Sequence, residues 1–476
     1  MWLKRRKTRY SNTSAAGRSS GGSRVNAVPT VLELEAALTQ VPMLDAHTHL
    51  VGGHLGARGL HDILLYHMIV SDLFAAGCPS GNRLTEYPGW PSRDEAHGRI
   101  REALPYLRHV SHTSTFWMVG VLLADLYGWR EAIEEHNWRR LDDLIRERAD
   151  DRAWQDSVLQ RASIVRTVTE FARREDGSDD HRLEYALEWG FFTRCQWGEF
   201  DTALYELERC WGREPEPPSP IGGVRPQVER VIRGVADVHE AMAHYVANIP
   251  EMVVATTNHV STDIDFRVVT ESEMAQAIAR RDAAGSAERD MYASYINEAF
   301  LATLERERPG TVYQFSLGAE PLPFETASRL SQRTIGQLAE IIARHPGVHF
   351  QCFLSSRHAN QSICTLAREL PNLSVAGFWW HNFMAETIHD VLAERLDMLP
   401  SNKQVGFFSD AYCVEWTYAK AAMVRRQMAR VLTELISQGR CTPDEALGLA
   451  RELVYETPRT LLRIEPRNDV AWARGV

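Results

Sequence analysis

The sequence predicts an α/β fold, a (β/α)8 TIM barrel that carries a largely helical insertion. Three observations predict it. Short apolar, β-branched runs alternate with helical stretches of roughly 10–20 residues, the pattern of a parallel sheet. The 476 residues exceed the ~250 of a bare barrel, and the excess gathers in one charged, Trp-rich block. The first strand ends in His-Thr-His, which puts polar ligands at the C-terminal end of a buried strand, where barrel enzymes keep their chemistry.

In chain order, residues 1–28 place Lys4, Arg5, Arg6, Lys7 and Arg9 ahead of the run SNTSAAGRSSGGSR. No apolar segment follows the basic residues, so a disordered basic leader is expected rather than an export signal, with a basic targeting or anion-binding arm as the alternative. Residues 29–85 start the barrel. TVLELEAALTQ (30–40) has apolar positions at helical spacing, Pro42 ends that helix, and Met43 to Ala46 lead into His47-Thr48-His49. Residues 86–225 read as a mainly helical insertion, with WREAIEEHNWRRLDDLIRERADD and DDHRLEYALEWGFF as its helices and SIVRTV (163–168) as its one barrel strand. The Pro-rich stretch 213–226 is a long loop at its boundary. Residues 226–465 supply the remaining strands: MVVATT (252–257), VYQFSLG (312–318), VHFQCFL (348–354), LSVAGFWW (373–380) and QVGFFSD (404–410). Helices separate them, a long one runs on to about residue 438, and 466–476 form a C-terminal tail.

Composition narrows the function. A formal net charge of −10 lacks the basic face that a nucleic-acid partner requires. The most apolar stretch, Phe116 to Ala124, is far shorter than the ~20 residues of a membrane span. Seven scattered cysteines without a C-x-x-C pair fit reduced thiols and a cytoplasmic protein. Nucleic acid and membrane are therefore excluded as partners. A small-molecule substrate is expected, and the Trp-rich helices leave a homo-oligomer open.

The chemistry starts at His47 and His49. On a strand, i and i+2 point to one face, and two imidazoles side by side are natural ligands for a divalent metal. Asp410, at the end of QVGFFSD, is the candidate third ligand; the competing role is an N-cap for the next helix.

This arrangement resembles the glucuronate (uronate) isomerase family, a divergent branch of the amidohydrolase superfamily, from about residue 30 to about 465. DAHTHL matches that family's D-x-H-x-H-L. The family's Asp-His-Tyr histidine falls on His67, with Met68 in place of the tyrosine, and TTNHVST places Asn258 and His259 at its Asp-His-Gly segment. QFSLGA stands for QLHIGA, so Ser316 replaces a metal-side histidine, for which His358 and His381 are candidate substitutes against a solvent-facing role. Arg357 in LSSRHAN corresponds to a family arginine, and FWWHN to the Gly-Trp-Trp-Phe-Asn motif through Trp379, Trp380 and Asn382. FFSDAYC keeps Asp410 but has Tyr412 where the family has the arginine that grips the substrate carboxylate. The family's Arg-Arg recurs as Arg425 and Arg426, read here as a solvated helix face.

The resemblance implies an isomerase that interconverts an aldose acid and its ketose through an enediol, with one divalent metal, zinc first and manganese, iron or cobalt compatible, on His47, His49 and Asp410. Asp410, His67 and His259 would move protons. Arg357, Trp379, Trp380, Asn382 and Tyr412 would meet the substrate, a sugar acid. Each has a plainer alternative: an ion pair for Arg357, packing for one of two tryptophans that alternate faces on a strand, and structural hydrogen bonds for the histidines. The loss of the arginine at 412 favours a second reading, a metal-dependent hydrolase or lyase of the amidohydrolase type acting on a different small polar substrate. A non-catalytic binding barrel is the third reading, against which His47, His49 and Asp410 together argue.

Overall fold

The structure, a computed structural model, describes residues 28–78, 92–174, 182–189, 199–216, 225–260, 265–319 and 328–465. The leader up to residue 27, the tail 466–476 and the middle of the Pro-rich loop lie outside the described residues. Eight parallel strands follow one another in chain order: β1 (Met43–Thr48), β2 (Ile164–Glu170), β3 (Leu183–Glu188), β4 (Val253–Val260), β5 (Val312–Leu317), β6 (His349–Leu354), β7 (Leu373–Ala376) and β8 (Gln404–Val405). The cylinder is completed by the segment after β8. There the Asp410 N–H donates to the His47 carbonyl at 3.0 Å, and the His49 N–H to the Ala411 carbonyl at 2.8 Å. A (β/α)8 barrel with surrounding helices is the observed architecture.

Side chains fill the barrel rather than leaving a pore. Leu44, Ala46, Val168, Ala186, Ala255, Val312, Phe353, Ala376, Val405 and Phe408 form one buried cluster. Small residues from several strands make room for the two phenylalanines, whose rings meet at 4.4 Å. Gly377 is part of that fit. Its φ of +39° is in the left-handed region, and a Cβ there would come within 2.3 Å of the Phe408 ring. The helix Val31–Leu38 starts at a capping box between Thr30 and Glu33 and packs on the long helix Val414–Ser437. The same long helix receives Ser114–Tyr127 of the insertion, which the Thr113 hydroxyl caps and Gly128 ends in the left-handed conformation.

Four expectations are corrected. LEYALE, read as helix, is β3, so residues 86–225 contribute two barrel strands instead of one. Leu, Glu and Ala are strong helix formers, but parallel ladders to β2 on one side and β4 on the other override local preference. The strand expected through 404–410 stops at Val405, and Asp410 lies beyond it with a φ of +52°. LSVAGFWW leaves the sheet after Ala376, and Trp380 opens a 3-10 turn, Trp380–Asn382, so the two tryptophans do not alternate on a strand. Arg425 is buried rather than solvated and donates to the Ala162 carbonyl, while Arg426 lies over the Trp117 ring at 5.7 Å.

Candidate metal centre

Leu44 and Ala46 point into the barrel, so strict alternation along β1 would send His47 to the other face. The ladder to β2 shifts register between Asp45 and Thr48. This irregularity re-aims the chain, and the His47 ring meets Phe353 at 5.2 Å and Phe408 at 5.9 Å, both in the interior cluster. The His47 and His49 rings are 5.1 Å apart.

Asp410 closes the group. Its Oδ1 is 3.1 Å from His49 Nε2 and 3.7 Å from His47 Nε2, and the three ligand atoms lie within 4.8 Å of one another. Among the described residues no other group of three such side chains converges this way. Asp410 is not a helix cap: the following helix begins at Val414, with Cys413 as its uncapped boundary residue. A non-glycine residue at positive φ costs roughly 1–3 kcal/mol and is retained where its surroundings fix it. Here the Tyr66 hydroxyl donates to the Asp410 carbonyl at 2.6 Å, and the Lys420 ammonium donates to Tyr66 Oη at 2.7 Å.

The donor set fits a divalent cation. His49 Nδ1 lies 2.9 Å from Glu170 Oε2, an ion-pair contact, while Nε2 faces Asp410, and a carboxylate on the far nitrogen is the arrangement found at metal-binding histidines. Burial disfavours charge on His49, but Glu170 and Asp410 overcome it and push its pKa up to about 9. A cation would take the place of that proton. Burial, with the neighbouring charge of His49, pushes His47 down to about 4, so it offers a neutral ring. Burial alone would raise Asp410, yet His49, Lys420 and His67 hold it well below the usual carboxylate range.

Several expected residues join this cluster. His67 opens the helix His67–Ala75 with Nε2 3.9 Å from Asp410 Oδ2. Trp380 lies 5.1 Å from the His67 ring, and Tyr412 stacks on His49 at 4.8 Å and 14°. Others stand on the opposite arc. His259, on β4, donates from Nε2 to the Ala319 carbonyl at 2.9 Å and meets Trp379 edge-on at 5.2 Å. Trp379 is 4% exposed and belongs to the interior cluster, so it is the tryptophan that packs. Asn382 is buried, ties the end of β6 through Leu354 O at 2.8 Å, and has an amide oxygen without a hydrogen-bond partner. Ser316 pairs in register with His259, and neither His358 nor His381, both exposed, enters the metal group. Arg357 is not drawn in: its side chain is 56% exposed and bound to Asp390 at 2.8 Å.

Sequence reasoning missed three groups. Glu170 ends β2, Arg173 lies in the turn Phe171–Arg173 after it, and Glu188 ends β3. Ending the strand at Val168 hid the first two, and the helical reading of LEYALE hid the third. For the two carboxylates, an acid at the last position of β2 and of β3 was the available signal. Burial and the charge of Glu170 push Glu188 up to about 8, and its Oε2 has no hydrogen-bond partner.

No protein-family model matches the sequence, and no curated protein matches it. Solved structures do. A glucuronate isomerase from Caulobacter crescentus is 14% identical, with 93% of this chain and 95% of that one covered and a TM-score of 0.73. A uronate isomerase from Thermotoga maritima is 12% identical over 94% of this chain and 100% of that one, TM-score 0.70. A uronate isomerase from Bacillus halodurans is 16% identical over 91% and 96%, TM-score 0.66. Over nearly its whole length the chain therefore has the fold of the uronate isomerases.

Proposed function

We propose that the chain is a metal-dependent sugar-acid isomerase that interconverts an aldose acid, a uronate or a related hydroxy acid, and its ketose through an enediol. The observation that carries this reading is the convergence of His47, His49 and Asp410 at the mouth of a barrel of this fold. One divalent cation, zinc first and manganese, iron or cobalt compatible with two imidazoles and a carboxylate, would polarise the substrate carbonyl when bound there.

The remaining work falls to the chain's own side chains. The enediol forms when the carbon next to the carbonyl loses its proton and the carbonyl oxygen gains one. It collapses to the isomer when the former carbonyl carbon is protonated and the neighbouring hydroxyl gives up its proton, so a carrier must reach both carbons. Asp410 is placed to be that carrier. His67, 3.9 Å from its Oδ2, would pass protons to and from the substrate oxygens. Trp380 beside His67 offers an apolar face for the sugar chain. The unpartnered amide oxygen of Asn382 would accept from a substrate hydroxyl, and His259 would serve at the far end. Trp379 would support this wall rather than touch substrate.

A cytoplasmic setting is part of this reading, and the thiols support it. Cys78, Cys210, Cys352, Cys364 and Cys413 are buried and not in disulfides, which fits a reducing cytoplasm. No helix among the described residues is long and apolar enough to cross a membrane.

One observation favours a second reading, a metal-dependent hydrolase or lyase. Tyr412 stands where a carboxylate-gripping arginine is expected, and the exposed Arg357 is already paired. Incubation of the metal-loaded protein with D-glucuronate and D-galacturonate in D2O separates the two. Deuterium next to the carbonyl, with ketose formed, is the expected result. Neither exchange nor ketose would remove the isomerase reading and leave the hydrolase.

A further inference from the structure

An acidic substrate needs a fixed cation near the metal ligands, and neither expected arginine position supplies one. Two other cations stand beside the cluster. Lys420 is 1% exposed, donates to Tyr66 Oη at 2.7 Å, and is covered by the Tyr66 and Phe383 rings at 4.9 and 4.8 Å. It is enclosed beneath the site and holds Asp410 from behind. Arg173 differs. It ends the turn after β2, and its carbonyl accepts from the Gly52 N–H at 3.1 Å, which ties that turn to the loop after β1. Its guanidinium carbon lies 5.4 Å from the centre of the Tyr412 ring, which also stacks on His49 at 4.8 Å. Its Nε donates to Glu170, the same carboxylate that lies against His49 Nδ1.

We propose that Arg173 binds the carboxylate of the substrate, a role that rests on the sugar-acid reading above. Arg173 Nε and His49 Nδ1 both lie against Glu170 Oε2, and both side chains lie against the Tyr412 ring, so the cation stands beside a candidate metal ligand. Tyr412 then acts as the platform that positions the guanidinium plane. Stacking on an aromatic face and two parallel N–H···O bonds to a carboxylate are both properties of arginine that lysine lacks. Glu170 couples the two halves: one carboxylate orients the imidazole that faces the metal position and the arginine that faces the substrate. The anionic end of the substrate is thereby read from β2 rather than from position 412, where the related fold's arginine is replaced by tyrosine.

The test uses the metal-loaded full chain, Arg173→Met and Arg173→Lys. Binding of D-gluconate, an acid without a carbonyl to isomerise, is measured by calorimetry. The ratio of kcat/KM for D-glucuronate over D-glucuronamide is measured in parallel. Arg173→Met should weaken gluconate binding at least about 30-fold, the scale of charged hydrogen bonds lost, and cut the acid-over-amide ratio at least about tenfold. Arg173→Lys, which keeps the charge, should fall between and serves if the methionine variant does not fold. Metal content reports on the fold of each variant. Gluconate binding within twofold of wild type at full metal content overturns the assignment. Arg173-dependent gluconate binding without any uronate turnover would instead keep it and remove the isomerase reading. Uronate turnover with an unchanged acid-over-amide ratio would do the reverse, and a wild type that binds no carboxylate overturns both.

Discussion

His49, beside the end of β1, and His349, at the start of β6, belong to one barrel and are driven in opposite directions. Glu170 and Asp410 overcome burial and push His49 up to about 9. Burial pushes His349 down to about 4, with only the Ser374 hydroxyl at 2.9 Å beside it and the charge of Lys403 adding to the shift. The arc built from β1, β2, β3 and the segment after β8 gathers His47, His49, Glu170, Arg173, Glu188 and Asp410. The arc of β4 to β7 buries uncharged groups: Asn258, Gln314, Ser316, Gln351 and Asn382. Closely packed opposite charges are costly to desolvate and are weak evidence for stability, so their gathering on one arc among the described residues marks that arc as the candidate site.

The largest effect should come from the centre of the charged arc. Asp410→Asn keeps the shape of the side chain and removes its charge, and turnover should fall on the order of 10³-fold or more; if activity survives, the assignment of the site is wrong. Glu170→Gln comes next. It leaves the three ligands in place but loosens His49, and metal affinity measured by competition with a chelator should drop roughly 10–100-fold. An unchanged affinity would show that Glu170 does not orient His49.

On the neutral arc the expected effect is on stability. His349 has a folded pKa depressed below that of the unfolded chain, so its contribution is intact above the unfolded pKa near 6.5 and is lost as pH falls toward about 4. Thermal melts from pH 7 down to pH 4 should therefore fall less steeply for His349→Gln than for wild type, and parallel curves would refute the burial argument. The smallest effect belongs to Arg357→Ala. An exposed ion pair is worth ~0–1 kcal/mol, so kcat/KM and the melting temperature should hardly move. A loss of more than about tenfold in kcat/KM would return Arg357 to the substrate site.

The residues explain why part of this was legible in the sequence and part was not. His47 and His49 follow an apolar run, and β4, β5 and β6 are apolar runs followed by amphipathic helices, so local pattern and tertiary structure agree. LEYALE fails because its local preference is helical and only its two parallel neighbours make it a strand. The pairing of Asp410 with His47 and His49 was legible, but its positive φ was not, because Tyr66 and Lys420 hold that backbone from across the fold. Arg173 could not be found from spacing. What marks it is its contact with the Tyr412 ring and with Glu170, which His49 shares. Arg425 was misread because a charge on a helix of ordinary amphipathic pattern is most often solvated, and its carbonyl partner at Ala162 comes from another element.

The most direct test is the metal content of the purified chain after supplementation with zinc or manganese, measured by elemental analysis for wild type and for the double variant His47→Asn, His49→Asn. About one equivalent of divalent metal in wild type, lost in the double variant with the fold intact, is the predicted result. Wild-type protein without stoichiometric metal, or a double variant that keeps it, would contradict the assignment of His47, His49 and Asp410 as a metal centre.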